Sequence, residues 1–295
     1  MLSICIPVYN YDLRPLITEL INQARVIDLN IEIIVYDDGS DQSFKNLFAE
    51  LKTINEVRYY EAAENIGCAA TRNQMAVWAK FSNILFIDSD SALPKNYLKK
   101  YQPLLKSDIL ITYGGRVHPI KLPSADKSLR WKVGKKREDF NAEQRRIIPN
   151  KSFMSNNFLA KKELFDKVSF NASIKRSGHE DTMFGIELEE KGICINHIDN
   201  AVTHIGLESN DEFILKNRNR LETLKLIMSV KQNNKLVKKR IKIIKYYELS
   251  KLAGLLPIIR FAYRKTNKAI EKSMHSKSPN LWLFDFYKLG YYSTL

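Results

Sequence analysis

The stretch "NILFIDSDSALP" (Asn83–Pro94) sets four apolar residues, Ile84 to Ile87, directly against Asp88, Ser89 and Asp90. A short apolar run that stops at polar residues reads as a buried strand with its end at the surface of a sheet. Two carboxylates one residue apart repel each other, and burying them unpaired is costly. The pair needs a compensating group. Asp and Ser also suit a turn or a helix N-cap, so the motif by itself carries two readings.

The same arrangement recurs toward the N-terminus. "LSICIPV" (2–8) and "IEIIVY" (31–36) are apolar runs that end in "YNYD" and "DDGSD". Between them, Leu13, Leu16, Ile17, Leu20, Ile21 and Ala24 follow helical spacing. A weaker strand at 57–61, a helix over 68–81, a helix from about 95 to 105 and a strand over 108–115 continue the alternation. Strands that are apolar throughout and alternate with helices imply an α/β domain whose mostly parallel sheet is covered on both faces. Ligands bind outside the carboxyl ends of such strands, which is where the polar motifs fall.

Residues 116–150 show little periodicity and read as a long functional loop. "SFMSNNFLAKKELFDKV" (152–168) reads as a strand and a short helix, and "GHEDTMFGIELEEKG" (178–192) as a helix ended by Gly192. Short strands follow at "ICINHI" and "AVTHIG".

Charge divides the chain unevenly. Residues 231–295 hold 15 Lys and Arg against 3 Asp and Glu, a net of +12; the preceding 230 hold 32 against 30, a net of +2. We therefore expect a domain over 1–225 and a basic, aromatic helical region over 226–295. That region mixes basic and apolar residues in "KLVKKRIKIIKYY" and ends in "LWLFDFYKLGYY", a pattern suited to an anionic membrane surface. No nucleic-acid motif is present, so no nucleic acid is expected as partner. No uncharged apolar stretch reaches eighteen residues, and the N-terminal run is too short for a signal peptide. Cys5, Cys68 and Cys194 have neither disulfide nor zinc spacing, which fits a reducing setting. The expected location is cytoplasmic, peripheral on the inner face of the cell membrane.

"SICIPVYN", "YDDGS", "ENIGCAATRN", "FIDSDS" and "GHEDTMFG" occur in the order and spacing of the family 2 glycosyltransferases with the GT-A fold, and the resemblance covers about residues 2–206. It implies an inverting transfer from a nucleotide-sugar, with uridine favoured as the base, to a hydroxyl of a glycan or lipid-linked glycan in cell-surface polysaccharide synthesis. Carried over by position, Pro7, Tyr9, Asn10, Asp37, Asp38, Asn65, Gly67 and Arg72 belong to the nucleotide pocket, with Asp88 beside ribose or water. Asp90 resembles the direct ligand of Mn²⁺ or Mg²⁺, and His204, preferred over His197, completes the metal shell. Asp181 matches the general base and Glu180 the group that holds the acceptor. Gly115, Arg116, Asn156, Asn157 and His179 stand as sugar or acceptor contacts, or as turn chemistry.

Each motif has a plainer structural alternative: a turn, a cap, a helix-dipole partner or a core histidine. The Q-x-x-R-W motif of processive synthases is missing, which favours single addition of a hexosyl or N-acetylhexosaminyl group. A sugar-phosphate nucleotidyltransferase would need a glycine-rich phosphate loop after the first strand, where this chain has "PVYNYDLRP". A catalytically inactive membrane-bound binding module of the same fold would not need Asp88, Asp90, Asp181 and His204 together.

Overall fold

The computed structural model describes residues 1–174, 178–230 and 235–295. Its strands are β1 (Leu2–Val8), β2 (Ile31–Asp37), β3 (Val57–Glu61), β4 (Asn83–Ile87), β5 (Ser91–Ala92), β6 (Ile111–Tyr113), β7 (Arg116–Val117), β8 (Asn157–Lys161), β9 (Asn196–His197) and β10 (Val202–His204). Among the described residues they form a seven-stranded sheet in the order β3-β2-β1-β4-β8-β6-β9 and a three-stranded sheet in the order β5-β10-β7. The first four strands of the large sheet run parallel, and β8 lies antiparallel between β4 and β6.

Burial on both faces follows from the two-residue period of a strand. Leu2, Ile4, Ile6 and Val8 of β1, Ile33 and Val35 of β2, and Leu85 and Ile87 of β4 enter one core with Leu16, Ile17 and Leu20 of the helix Arg14–Val26. The alternate residues Cys5, Ile34, Ile84 and Phe86 enter a second core with Met75 of the helix Cys68–Trp78 and Phe158 of β8. Each fully buried side chain of this kind contributes about 1.5–3 kcal/mol. This two-sided burial is why the three runs are largely apolar; Ser3 and Glu32, the polar residues inside β1 and β2, satisfy each other at 2.6 Å.

Parallel register aligns the carboxyl ends of the strands. Val8 pairs with Asp37, and the Asp38 amide donates to the Val8 carbonyl at 2.9 Å. Past Ile87 the chain leaves the large sheet and enters β5, where Ser91 faces His204 of β10. Asp88 to Asp90 therefore span the passage between the two sheets.

The described chain divides into two compact units. The first takes in Met1–His118, 139–174 and Glu180–Gly206, and holds both sheets. The second takes in Pro119–Glu138, 178–179 and the described part of Leu207–Leu295. It is helical, with Leu129, Val133, Phe213, Ile214, Tyr263, Phe284 and Tyr287 in its core. The boundary expected at 225/226 lies inside the helix Asn210–Val230, and residues 231–234 of the basic region lie outside the described residues.

Residues 116–150 depart from the long loop expected. They contain β7 and the helices Ser128–Arg137 and Ala142–Arg146, the latter started by a reciprocal Asn141–Gln144 capping box. Polar contacts hold them where apolar periodicity is weak. Arg130 pairs with Glu138 and Glu208 at 3.0 and 3.2 Å, and Arg137 with Asp285 at 2.7 Å. Arg145 sends its guanidinium into the carbonyls of Gly114, Ile198 and Phe140.

Candidate active site

The loops after β1 and β2 are tied to each other. Asn10, with φ of 48°, receives no help from glycine; its amide donates to Ser40 Oγ at 2.9 Å, and its side chain exchanges hydrogen bonds with Asp41 at 3.0 and 2.7 Å. Pro7 sits within β1, opposite Tyr36, and Tyr9 projects into solvent. Asp37 is fully buried: its carboxylate accepts from the Ser40 amide at 2.8 Å and from the Tyr59 hydroxyl at 2.9 Å. With no exposed surface, Asp37 shapes the loop beside which the expected nucleotide contacts lie. Asp38 accepts from the amides of Ile66 and Gly67 at 2.7 and 3.1 Å, and Asn65 donates to the Asp38 carbonyl at 3.0 Å. Burial pushes the Asp38 carboxyl above its usual range even so. Gly67 takes φ of 85° at the start of the helix Cys68–Trp78, a conformation that side chains with a Cβ rarely adopt.

One turn into that helix, Arg72 is buried and reaches the end of β4. Its Nη2 donates to Asp88 Oδ1 at 2.8 Å, while Arg116 of β7 donates to Asp88 Oδ2 at 3.2 Å. Asp88 is thus clamped between two guanidinium groups, and the second acid of the pair, Asp90, is not repelled as strongly as the sequence suggests. Arg116 belongs to this clamp, which the turn reading of "GGR" did not anticipate. Gly115, with φ of 102°, and Gly114 let the chain pass tightly between Arg145, Tyr101 and Asn157.

Asp90 faces the other way. Its Oδ2 lies 2.9 Å from His204 Nε2. His204 Nδ1 lies 3.5 Å from His118 Nε2, and His118 Nδ1 lies 2.6 Å from Asp139 Oδ1. The Asp139 carboxylate accepts, so His118 donates from Nδ1. A His204 protonated on Nε2 donates to Asp90; one protonated on Nδ1 turns a lone pair toward that carboxylate, where a cation would fit between them. Carboxylate oxygen and imidazole nitrogen are both ligands for a first-row divalent ion. Among the described residues no group of three or more His, Cys, Asp and Glu is close enough to hold a metal by itself. A cation here would take its remaining ligands from water or phosphate. A Cβ on Gly206 would meet Asp90 Cβ at 2.6 Å, so the turn after β10 must be glycine.

No motif marks His118 and Asp139; they are 21 residues apart, and the pairing of β7 with β10 joins them to His204. His197, by contrast, is a core residue. It accepts from Arg145 Nε at 3.2 Å, lies 3.0 Å from the Pro149 carbonyl, and burial lowers its pKa to about 4.

Helix Glu180–Glu190 brings Asp181 to the same end of the sheet. Burial first, then the charge of Glu180, raise the Asp181 pKa to about 6, against the opposing pull of Arg72 and a hydrogen bond from Ser155. His179, with φ of 66°, precedes the helix. Three buried polar groups in this neighbourhood lack a protein partner among the described residues: Arg72 through Nε and Nη1, Asn156 through Nδ2, and Asp181 through Oδ1. Buried polar atoms are nearly always satisfied, so two donors and an acceptor left open together mark a place for a polar ligand.

Asn157 is not part of that place. Its Oδ1 accepts from the hydroxyls of Tyr97 and Tyr101 at 2.7 and 2.8 Å, and its Nδ2 donates to the carbonyls of Gly115 and Asn200 at 2.8 and 2.9 Å. It is a fully buried bracket between the helix Tyr97–Tyr101 and the loops at Gly115 and Asn200. Asn157→Ala should cost about 3 kcal/mol, because it strands two hydroxyls and two carbonyls in the core. Calorimetric unfolding will read this loss as a lower Tm.

Comparison with known proteins bears on the family and the fold. Residues 3–182 match the model of the glycosyl transferase family 2. The minor teichoic acid biosynthesis protein GgaA of Bacillus subtilis (strain 168) is 38% identical over 112 residues, 34% of this chain and 23% of that protein. The chondroitin synthase of Escherichia coli is 25% identical over 240 residues, 69% of this chain and 34% of that protein. The chain thus spans only a part of the length of these curated relatives. In fold, it resembles the mannosyltransferase PcManGT from Pyrobaculum calidifontis, solved with GDP-Man and Mn²⁺, at a TM-score of 0.58 and 15% identity over 99% of this chain and 86% of that one. A likeness to S. aureus TarS has a TM-score of 0.50 at 18% identity, over 75% of this chain and 39% of that one. The parallel sheet expected from the sequence is that of the GT-A transferases, and the chain belongs to glycosyl transferase family 2.

Proposed function

We propose that the chain transfers a hexosyl or N-acetylhexosaminyl group from a nucleotide-sugar, with a uridine diphosphate carrier favoured, to a hydroxyl of a glycan or lipid-linked glycan of the cell surface, with inversion at the anomeric carbon. The observation that carries this reading is the open trio of Arg72, Asn156 and Asp181 beside the Asp90–His204 pair. Two buried donors suit the oxygens of an anionic, hydroxyl-rich donor, and a buried carboxylate with a free oxygen suits an acceptor hydroxyl. The catalytic domain is the sheet-bearing unit, and the basic C-terminal region works at an anionic membrane surface on the cytoplasmic side. Among the described residues no helix is long and apolar enough to cross a membrane.

Asp90 and His204 would hold Mn²⁺ or Mg²⁺, and the mixed oxygen and nitrogen set favours Mn²⁺. His118 and Asp139 orient His204 from behind. Once bound, the ion would offset negative charge on the diphosphate leaving group. Arg72 and Arg116 add positive charge around Asp88 on the same side. The acceptor oxygen forms its bond to the anomeric carbon as its proton passes to Asp181 Oδ1; the bond to the nucleotide breaks, and its electron pair leaves with the diphosphate. Glu180 holds the acceptor through its other hydroxyls, and Asn10, Asp38, Asn65 and Gly67 set the walls of the nucleotide pocket.

A base must be deprotonated to act. With the Asp181 pKa at about 6, kcat/KM is expected to rise with pH through about 6 and to fall about tenfold per unit below it. A pH series of nucleotide release at low donor concentration measures this limb; activity flat down to pH 4.5 would remove Asp181 from the role. The reading as a whole is tested by incubating the protein with a panel of nucleotide-sugars and Mn²⁺, with and without EDTA. Release of nucleotide diphosphate from one or a few donors, lost with EDTA, is expected. Release of pyrophosphate instead would support a nucleotidyltransferase.

A further inference from the structure

The second unit contains a helical hairpin whose tip is apolar and unburied. The helix Lys242–Leu252 ends at Gly254, with φ of 68°, and Leu255 leads straight into the helix Leu256–Met274. The Leu255 amide donates to the Ser250 carbonyl at 2.8 Å, closing the first helix with a tight left-handed cap. Burial divides the second helix sharply. Leu256, Tyr263, Ile270 and Met274 lie buried on one face, and the last three pack into the bundle core. Ile258 and Phe261, 64% and 65% exposed, lie on the other, and Leu249, Leu252 and Leu255 continue the exposed apolar surface through the turn. Single exposed leucines are ordinary; five large apolar side chains within thirteen residues at one tip are not.

Charge identifies the occupant. Residues 242–268 carry seven Lys and Arg and one acid, Glu248. Exposed Lys242 and Lys245 lie before the tip, Lys251 within it, and Arg264, Lys265 and Lys268 one to two turns beyond. An apolar wedge collared by cations matches a bilayer with an anionic surface: acyl chains receive the wedge and headgroup phosphates meet the collar. A protein partner burying the same tip would face seven cations with a single acid in answer, and a second copy of this hairpin would set two cationic collars against each other.

We infer that residues 249–261 form a membrane-inserting wedge, with Leu252, Leu255, Ile258 and Phe261 entering the headgroup–acyl boundary and Lys265 and Lys268 at the phosphates. The inference rests on the reading of the basic region as a membrane-surface element and names the side chains that enter. The long arms of the lysines allow them to reach the phosphates while their stems lie along apolar surface.

The test is cosedimentation of the full chain with vesicles of phosphatidylglycerol and phosphatidylcholine, against vesicles of phosphatidylcholine alone. The wild type should partition to the anionic vesicles. Ile258→Ser/Phe261→Ser should weaken that partition at least about tenfold, with unfolding temperature and nucleotide release unchanged, since neither side chain is buried. Lys265→Glu/Lys268→Glu should weaken it as well, and raised salt should reproduce the effect in the wild type. Equal partition of wild type and Ile258→Ser/Phe261→Ser would overturn the wedge while leaving membrane association standing. No partition of the wild type would overturn both. A wild-type dimer dissociated by Ile258→Ser/Phe261→Ser, without vesicle binding, would assign the tip to a second copy and overturn the inference.

Discussion

Asp181→Asn is expected to lower turnover by about 10²–10⁴-fold, the range by which a positioned base accelerates proton transfer. The amide keeps the shape of the carboxyl and cannot take the proton of the attacking hydroxyl. Donor affinity, read by calorimetry with the nucleotide-sugar and Mn²⁺, should change only a few-fold. Stability separates this role from a structural one. The native carboxyl is buried, its pKa raised to about 6 by desolvation and by Glu180. Ionising it at neutral pH therefore costs the folded state free energy that an amide does not. Asp181→Asn should unfold at the same temperature as the wild type or higher. A variant that loses turnover, donor binding and stability together would make Asp181 a packing residue.

Asp90→Ala should be nearly as damaging, for a different reason. It removes one of two side chains that converge at 2.9 Å, and leaves His204 against a void. Turnover at saturating Mn²⁺ should fall at least about a hundredfold, since even outer-shell changes cost ten- to a hundredfold. A second readout does not depend on activity: addition of Mn²⁺ should raise the unfolding temperature of the wild type and not that of Asp90→Ala. An equal Mn²⁺-dependent rise in both proteins would place the metal elsewhere. The two variants also part in their donor dependence. Asp90→Ala should weaken diphosphate binding, which Asp181→Asn leaves in place.

The sheet was legible because three strands bury both faces. A run such as Ile84 to Ile87 has no polar residue to mislead, and the polar residues that follow it mark the carboxyl end. The strand-end pattern marks Asp88 and Asp90 alone; Arg72, Asp181 and His204 are singled out by the order and spacing of the motifs that resemble the family. Residues 116–150 were not. Arg130, Arg137 and Arg145 anchor that segment to carboxylates and carbonyls far along the chain, and such contacts leave no period in the sequence. Asn157 misled in the opposite sense. An Asn after Ser and Asn reads as a turn, yet four side-chain hydrogen bonds, from the hydroxyls of Tyr97 and Tyr101 and to the carbonyls of Gly115 and Asn200, fix it in the core. The histidine chain behind His204 was invisible because it is assembled by strand pairing alone; nothing about His118 in "RVHP" distinguishes it from any other histidine.

The two acids of "DSD" fare differently once the fold is known. Asp88 is neutralised by Arg72 and Arg116, so it needs no cation. Asp90 is paired with an imidazole whose other nitrogen faces His118. The repulsion implied by their spacing is relieved by giving the two side chains separate partners.

The stereochemistry of the released sugar tests the account most directly. Single displacement with Asp181 as the base gives an initial product of inverted anomeric configuration, and water can serve as the acceptor. Proton NMR recorded within the first minutes of hydrolysis, before mutarotation, should show the anomer opposite to that of the donor, and Asp181→Asn should release neither anomer above background. Release of sugar with the donor's own configuration, or unchanged hydrolysis by Asp181→Asn, would contradict it.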